Sequence, residues 1–411
     1  MEKNNIPNIR FNKYSNDWKS LKLSEIADII GGGTPSTLIN EYWNGNIDWY
    51  SPTEIGESVY VNGSVKKITA LGLENSSAKI LPANKTILFT SRAGIGDMAI
   101  LAKEGSTNQG FQSLVLKNGF HTYFIFSAQN QIKKYALSKA SGSTFLEISS
   151  KVLGNMNLLV PDYDEQRAIG DFFEQIDNLI RQHTQKHENL LLLKNAMLDK
   201  MFPNSGKAVP EIRLKHYSGD WEKFELGKIG DPYSGLSGKS KNDFGHGDAK
   251  YVTYMNVFSN PISDINSLDH IESDSSQNIV KNGDVLFTIS SETAGEVGMS
   301  SVWTGDLENV YLNSFCFGFR PRIKIDNYFL ANILRTHAFR KKMTFLAQGI
   351  SRYNISKNKV MNLSISLPNY EEQLSIGLYF KNLDILINQH NNQVNKLKNI
   401  KAALLSNLFI Q

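Results

Sequence analysis

The chain has 411 residues, 41% of them hydrophobic and 10% aromatic, which is enough to build more than one folded core. Its single cysteine excludes a disulfide framework, and a net charge of +4 is too small to establish a polyanionic partner. The start, Met1 to Asn5, leads into no apolar segment, and no run approaches 18 apolar residues, so a cytoplasmic protein without membrane contact is expected.

In chain order, the first signal is a pattern that returns. Pro7-Asn8-Ile9-Arg10-Phe11, followed by Tyr14, Ser15, Asp17 and Trp18, reappears 203 residues later as Pro210-Glu211-Ile212-Arg213-Leu214 with Tyr217, Ser218, Asp220 and Trp221. Leu23, Ile26 and Asp28 continue the match as Leu226, Ile229 and Asp231. Further on, Leu88-Phe89-Thr90 pairs with Leu286-Phe287-Thr288, Tyr123-Phe124 with Tyr328-Phe329, and Gly142 with Gly349. The chain is therefore read as a tandem duplication. Short strands such as Thr86 to Thr90, Ser113 to Leu116 and Asp284 to Thr288 alternate with loops rich in Gly, Ser and Asn. One shorter helix is expected in each half, around Tyr123–Ser138 and Asn327–Leu346. Residues 30–115 and 233–320 match poorly, which suggests one scaffold presenting two different binding surfaces. Cys316, within Phe315 to Phe319, reads as a packed strand residue.

Each half ends in a long amphipathic run. Pro161-x-Tyr163-x-Glu165-Gln166 opens the first and Pro368-x-Tyr370-x-Glu372-Gln373 the second, 207 residues apart. The first then reads Ile169, Phe173, Ile176, Ile180, His183, His187, Leu190, Lys194, Met197, Met201. The second reads Ile376, Phe380, Leu383, Ile387, His390, Val394, Leu397, Lys401, Leu404, Leu408. Alternating steps of four and three mark the seam of a coiled coil. Each run of about 38 residues would make a rod of about 55–60 Å, and the two are predicted to pair with one another. Acidic residues in each first turn suit the helix dipole. His183 and His390, each near its helix midpoint, are expected at the crossing of an antiparallel pair. The expected organisation is a globular domain over 1–160, a helical region over 161–205, a second domain over 206–367 and a second helical region over 368–411. The helical regions carry eight and three acidic against five and four basic residues, so +6 of charge falls on the rest of the chain.

Catalytic motifs fail on inspection. Gly235-Leu236-Ser237-Gly238-Lys239-Ser240 resembles the end of a phosphate-binding loop, but Tyr233 stands where its first glycine is needed. Pro161-Asp162 with Glu165-Gln166-Arg167 is too tightly spaced for a nuclease metal site, and Asn369 replaces Asp162 in the second copy. The eight histidines show no metal-ligand spacing, Gly31-Gly32-Gly33 precedes no helix, and Asp231-Pro232-Tyr233 is not the motif with which amino-methyltransferases hold a flipped base. No covalent chemistry, metal or resident cofactor is expected.

The duplicated unit, Gly32-Gly33-Thr34-Pro35-Ser36, Thr107-Asn108-Gln109-Gly110, Gly142-Ser143-Thr144 and the Pro-x-Tyr-x-Glu-Gln helix starts resemble the specificity subunits of Type I restriction–modification enzymes. The resemblance covers essentially the whole chain. It implies an α+β fold: two pseudo-symmetric, loop-rich target recognition domains, joined by two long antiparallel coiled-coil helices. It implies that each domain reads one half of a split double-stranded DNA target and that the helices dock two methyltransferase subunits. S-adenosylmethionine would then belong to those subunits, and ATP with Mg to restriction subunits.

Base reading needs Arg, Lys, Asn, Gln and hydroxyl side chains on loops. Candidates in the first half are Thr34, Ser36, Thr37, Tyr42, Trp43, Arg92, Asn108 and Gln109. In the second they are Ser237, Lys239, Ser240, Lys241, Asn242, Ser290, Arg352 and Tyr353. For each, a solvated turn is the competing reading; Tyr42 and Trp43 could instead pack beneath their loop, and Asn108 and Gln109 could tie a turn to its own backbone. The second half departs from the first, with Gly-Leu-Ser-Gly-Lys-Ser in place of Gly-Thr-Pro-Ser and Asn313-Ser314 in place of Asn108-Gln109. The competing functions are a coiled-coil interaction adaptor with two binding modules and an enzyme with an unrecognised site.

Overall fold

The computed structural model describes residues 6–92, 94–142, 146–204 and 206–409. It divides into two compact units, one formed by residues up to Thr184 together with those from Asn392 onward, the other by Gln185–Asn391. Each unit combines a globular part with one half of each long helix.

In the first unit Lys19–Lys22 pairs antiparallel with Asn157–Val160. A five-stranded sheet follows the order Ala27–Gly31, Gln112–Leu116, Thr86–Phe89, Met98–Leu101, Tyr60–Val61, and a three-stranded sheet has Trp43–Tyr50 between Lys66–Ile68 and Ser106–Thr107. The second unit repeats this plan. Glu222–Glu225 pairs with Ser364–Leu367; a four-stranded sheet orders Gly230–Ser234, Cys316–Pro321, Val285–Thr288, Ser300–Val302; and Phe244–Val252 lies between Leu268–Ile271 and Val310–Leu312. Thr86–Phe89 and Val285–Thr288 are buried at every residue, as strands covered on both faces must be. Cys316 is buried within its strand.

Each shorter helix expected from sequence is two helices. Thr122–Ser127 gives way at Ala128 to Gln129–Lys139, and Asn327–Ile333 is followed by His337–Leu346. In the second unit the break has a clear cause: Thr336 Oγ1 accepts the Phe339 amide at 3.3 Å, capping a new helix rather than continuing the old one.

The long helices span Tyr163–Lys200 and Tyr370–Leu408. Every seam residue is buried or half-buried, including His183, His187 and His390. Within the first unit the beginning of the first helix meets the end of the second: Phe173 lies 6.4 Å from Phe409, and Lys401 Nζ sits 2.6 Å from Asp177 Oδ2. Within the second unit Phe380 lies 5.7 Å from Phe202, and Lys194 Nζ reaches Asp384. Both pairings are antiparallel, and the ion pairs are the same pair repeated by the duplication. Lys194 and Lys401 thus occupy an apolar seam because each has a carboxylate facing it.

The pairing also completes the cores. Phe409 packs against Trp18 and stacks at 5.3 Å on Phe124, while Phe202 packs against Trp221 and lies 5.4 Å from Phe329. The first core is therefore closed by the tail of the second helix, and the second core by the tail of the first.

Candidate nucleic-acid interface

The Pro-x-Tyr-x-Glu-Gln motif fixes how each globular part leaves its helix. Glu165, 2% exposed, accepts both Nε and Nη2 of Arg10 at 2.7 Å; Glu372, 0% exposed, accepts Nε and Nη2 of Arg213 at 2.8 and 2.7 Å. These two-pronged, charge-assisted bonds raise both guanidinium pKa values despite partial burial. Gln166 Nε2 donates to the Pro161 carbonyl and its Oε1 accepts the His121 amide; Gln373 does the same with Pro368 and Asp326. Gly170 and Gly377 let the next element approach. A Cβ there would lie 2.3 Å from His121 Nδ1 or 2.0 Å from Asp326 Oδ1.

Above this base a chain of backbone hydrogen bonds gathers the loops. In the first unit the Gly33 amide donates to Thr107, Asn108 to Tyr50, Ser91 to Gly110 and Ile148 to Ser91, at 2.8–3.1 Å. In the second, Leu236 donates to Leu312, Asn313 to Val252, Ile289 to Phe315 and Ile355 to Ile289, at 2.7–3.0 Å. The bonds are equivalent although, of the paired residues, only Asn108 and Asn313, and Ile148 and Ile355, are the same. Gly32 and Gly235 lie where a Cβ would come within 1.9 and 2.2 Å of the carbonyl oxygens of Asn108 and Asn313. A glycine is therefore required on both loops. An edge-to-face aromatic pair stands beneath each: Trp43 on Trp49 at 5.1 Å and Phe244 on Tyr251 at 5.2 Å.

On the first surface Thr34 Oγ1 hydrogen-bonds Gln109 Oε1, and both residues are exposed. Trp43 is half-buried and donates its indole N–H to the Ser36 carbonyl at 3.1 Å, so it packs under the loop. Asn108 Oδ1 accepts the Gly110 amide at 2.7 Å, tying its own turn. Ser36 and Thr37 are exposed; Tyr42 and Arg92 are half-buried, with Arg92 in the bend joined to the Asn108–Gly110 turn through Ser91. Ser143 and Thr144 lie outside the described residues. Nearby, Asp48 is buried between Lys67 at 3.1 Å and Lys103 at 3.2 Å. Burial alone would raise its pKa; the Ser64 amide and the two lysines outweigh that and hold it below the ordinary carboxylate range.

On the second surface Ser237 exchanges two hydrogen bonds with Gln277. Lys239 is paired to Asp274 at 2.8 Å, and this lysine is the first cause holding the Asp274 carboxyl well below its usual range. A lysine so occupied does not serve a phosphate loop. Ser240 and Asp243 cap a short turn carrying Lys241 and Asn242, both exposed, and the Asn242 carbonyl meets His246 at 2.7 Å. Arg352 is exposed, 5.9 Å from the Phe315 ring centroid. Two candidates are not presented to solvent as expected. Ser290 is 4% exposed in a strand that pairs antiparallel with Tyr353–Asn354, a segment distant in sequence, and half-buried Tyr353 packs against the second core. Sequence reading missed Gln277, Asp274 and Phe315, which act on loops far from them in sequence.

The family model described as "Type I restriction modification DNA specificity domain" matches residues 15–192 and again residues 218–399. The chain belongs to this family. It is 32% identical over 228 residues to the Type I restriction enzyme MjaIX specificity subunit of Methanocaldococcus jannaschii, an alignment spanning 53% of this chain and 52% of that one. With the MjaVIII specificity subunit of the same organism it shares 22% identity over 405 residues, 95% of this chain and 91% of the relative. The crystal structure of a Type-I restriction-modification S subunit from M. genitalium superposes with a TM-score of 0.61 at 17% identity, covering 99% of both chains. A chain from a study of complex assembly and conformational transition of the type I R-M system superposes at 0.54 and 16% identity, covering 97% of this chain and 99% of that one. The Type I specificity fold thus extends over both units, mixed strand and helix with a long helix following each domain.

Proposed function

We propose that this chain is the non-catalytic, DNA-reading subunit of a cytoplasmic Type I restriction–modification complex, each unit recognising one half of a split duplex target. The observation that carries this reading is one backbone framework holding two different sets of loop side chains. Such a framework keeps the reading edge in place while leaving base contacts free to differ. Thr34, Ser36, Thr37 and Gln109 form the reading edge of the first unit. Ser237, Lys241, Asn242 and Arg352 form that of the second, while Trp43, Asn108, Lys239 and Tyr353 support the loops. The long helices set the separation of the half-sites, which must fit the ~34 Å helical repeat of DNA. They also dock two methyltransferase subunits, which bring S-adenosylmethionine; restriction subunits bring ATP and Mg.

The test is a binding titration of the chain assembled with its methyltransferase subunits on duplexes that do and do not carry the split site. Affinity is expected to fall steeply with salt as counterions are released, and to favour the split site. Flat salt dependence, or equal binding to every duplex, would contradict the reading.

A further inference from the structure

One concavity of the second unit belongs to no part of this account. It has a volume of about 360 Å³ and lies where the linker after Phe202 passes over Trp221, the first turn of His337–Leu346 and the strand Ser364–Leu367. Phe339, Ile333 and Ile365 supply an apolar wall. Lys207, Lys223 and Lys342 line the rest, and no Asp or Glu is among the described lining residues. Lys342 Nζ donates to the Ser364 carbonyl at 3.0 Å, and burial first, then neighbouring Lys223, pull its ammonium below the ordinary lysine value.

Two features point the same way. Like charges converge without a carboxylate, which leaves a place for an anion. The first turn of a ten-residue helix lines the cavity through Ala338 and Phe339, and Thr336 caps the Phe339 amide, which leaves that of Ala338 to a ligand. We infer that this cavity binds a small organic phosphate, its phosphoryl group between Lys223, Lys342 and the helix start, and its organic part against Phe339 and Ile333.

The duplication separates this site from DNA reading. Trp18 repeats Trp221, including a buried indole N–H with no acceptor among the described residues, but the counterparts of Lys223, Thr336 and Lys342 by the offsets of 203 and 207 residues are Ser20, Gln129 and Tyr135. A function shared by both halves would keep its cations in both; this site exists in the second unit alone.

Calorimetric titration of the full chain with adenosine monophosphate, adenosine and inorganic phosphate tests the assignment. Adenosine monophosphate should bind at least tenfold tighter than either fragment. Lys223→Gln, on an exposed side chain whose loss leaves the fold intact, should weaken it about tenfold, and Lys342→Gln more. Binding should persist in the presence of saturating duplex DNA. Equal affinity for adenosine and its monophosphate, insensitivity to Lys223→Gln, no binding at all, or displacement by duplex would each overturn the inference. Displacement would mark the lysines as contacts to the DNA backbone instead. None of these outcomes bears on the split-site reading, which rests on the loops.

Discussion

The two recognition surfaces differ in nearly every side chain, yet the same backbone amides donate to the same carbonyls in both. The two helix starts behave in the opposite way: Arg10 and Glu165 or Arg213 and Glu372, Gln166 or Gln373, and Gly170 or Gly377 repeat residue for residue. Backbone hydrogen bonds do not depend on the side chain that passes by, so a surface built on them can change what it reads at little cost to its shape. A buried guanidinium–carboxylate pair has no such freedom, because losing one partner strands the other. The duplicated chain keeps identity where side chains carry the structure and varies where the backbone carries it.

Matched substitutions in the two units probe this contrast. Phe409→Ala and Phe202→Ala should each cost about 3–5 kcal/mol, as expected for truncating a buried aromatic residue. By hydrogen exchange the first should loosen only the unit with Trp18 and Phe124, and the second only that with Trp221 and Phe329. Loosening of the unit that precedes each phenylalanine in sequence would break the description of the cores. Glu372→Gln should cost about 3 kcal/mol by stranding Arg213, with Glu165→Gln giving a similar value in thermal unfolding. Gly170→Ala and Gly377→Ala should each destabilise by about 1–3 kcal/mol through overpacking, although alanine ordinarily strengthens a helix. A stabilising result would show that the helix start is not in close contact.

The smallest effect concerns pH and the first unit alone, because Lys250 stands in the second at the place of Asp48. The pKa of Asp48 is depressed in the folded state, so its contribution is complete above the ordinary carboxylate range and is lost as pH falls through the depressed value. Asp48→Asn should flatten the acid side of the first unit's stability profile. An unchanged profile would show that Lys67 and Lys103 do not hold the carboxylate.

The sequence pattern revealed some of this architecture and concealed the rest for identifiable reasons. The seams from Ile169 and Ile376 were legible because a 3.5-residue period is local. The exchange of Phe202 and Phe409 between cores was not, since both halves carry the same residue and periodicity does not say which core it enters. The ion-pair partner of Glu165 was hidden because Arg10 lies 155 residues away. The equivalence of the divergent middles was hidden because backbone amides leave no mark on residue identity. Among the candidate contacts, Lys239 and Ser290 could not be judged from sequence, since Asp274 and the strand of Tyr353 that occupy them come from distant segments.

The central claim, that one framework carries two independent readers, is tested most directly by exchanging residues 30–115 for those of a relative and mapping methylation by single-molecule sequencing in a host with the complete system. A split methylated motif with one half changed, and the other half and the spacer retained, is the predicted result. A motif altered in both halves would contradict it.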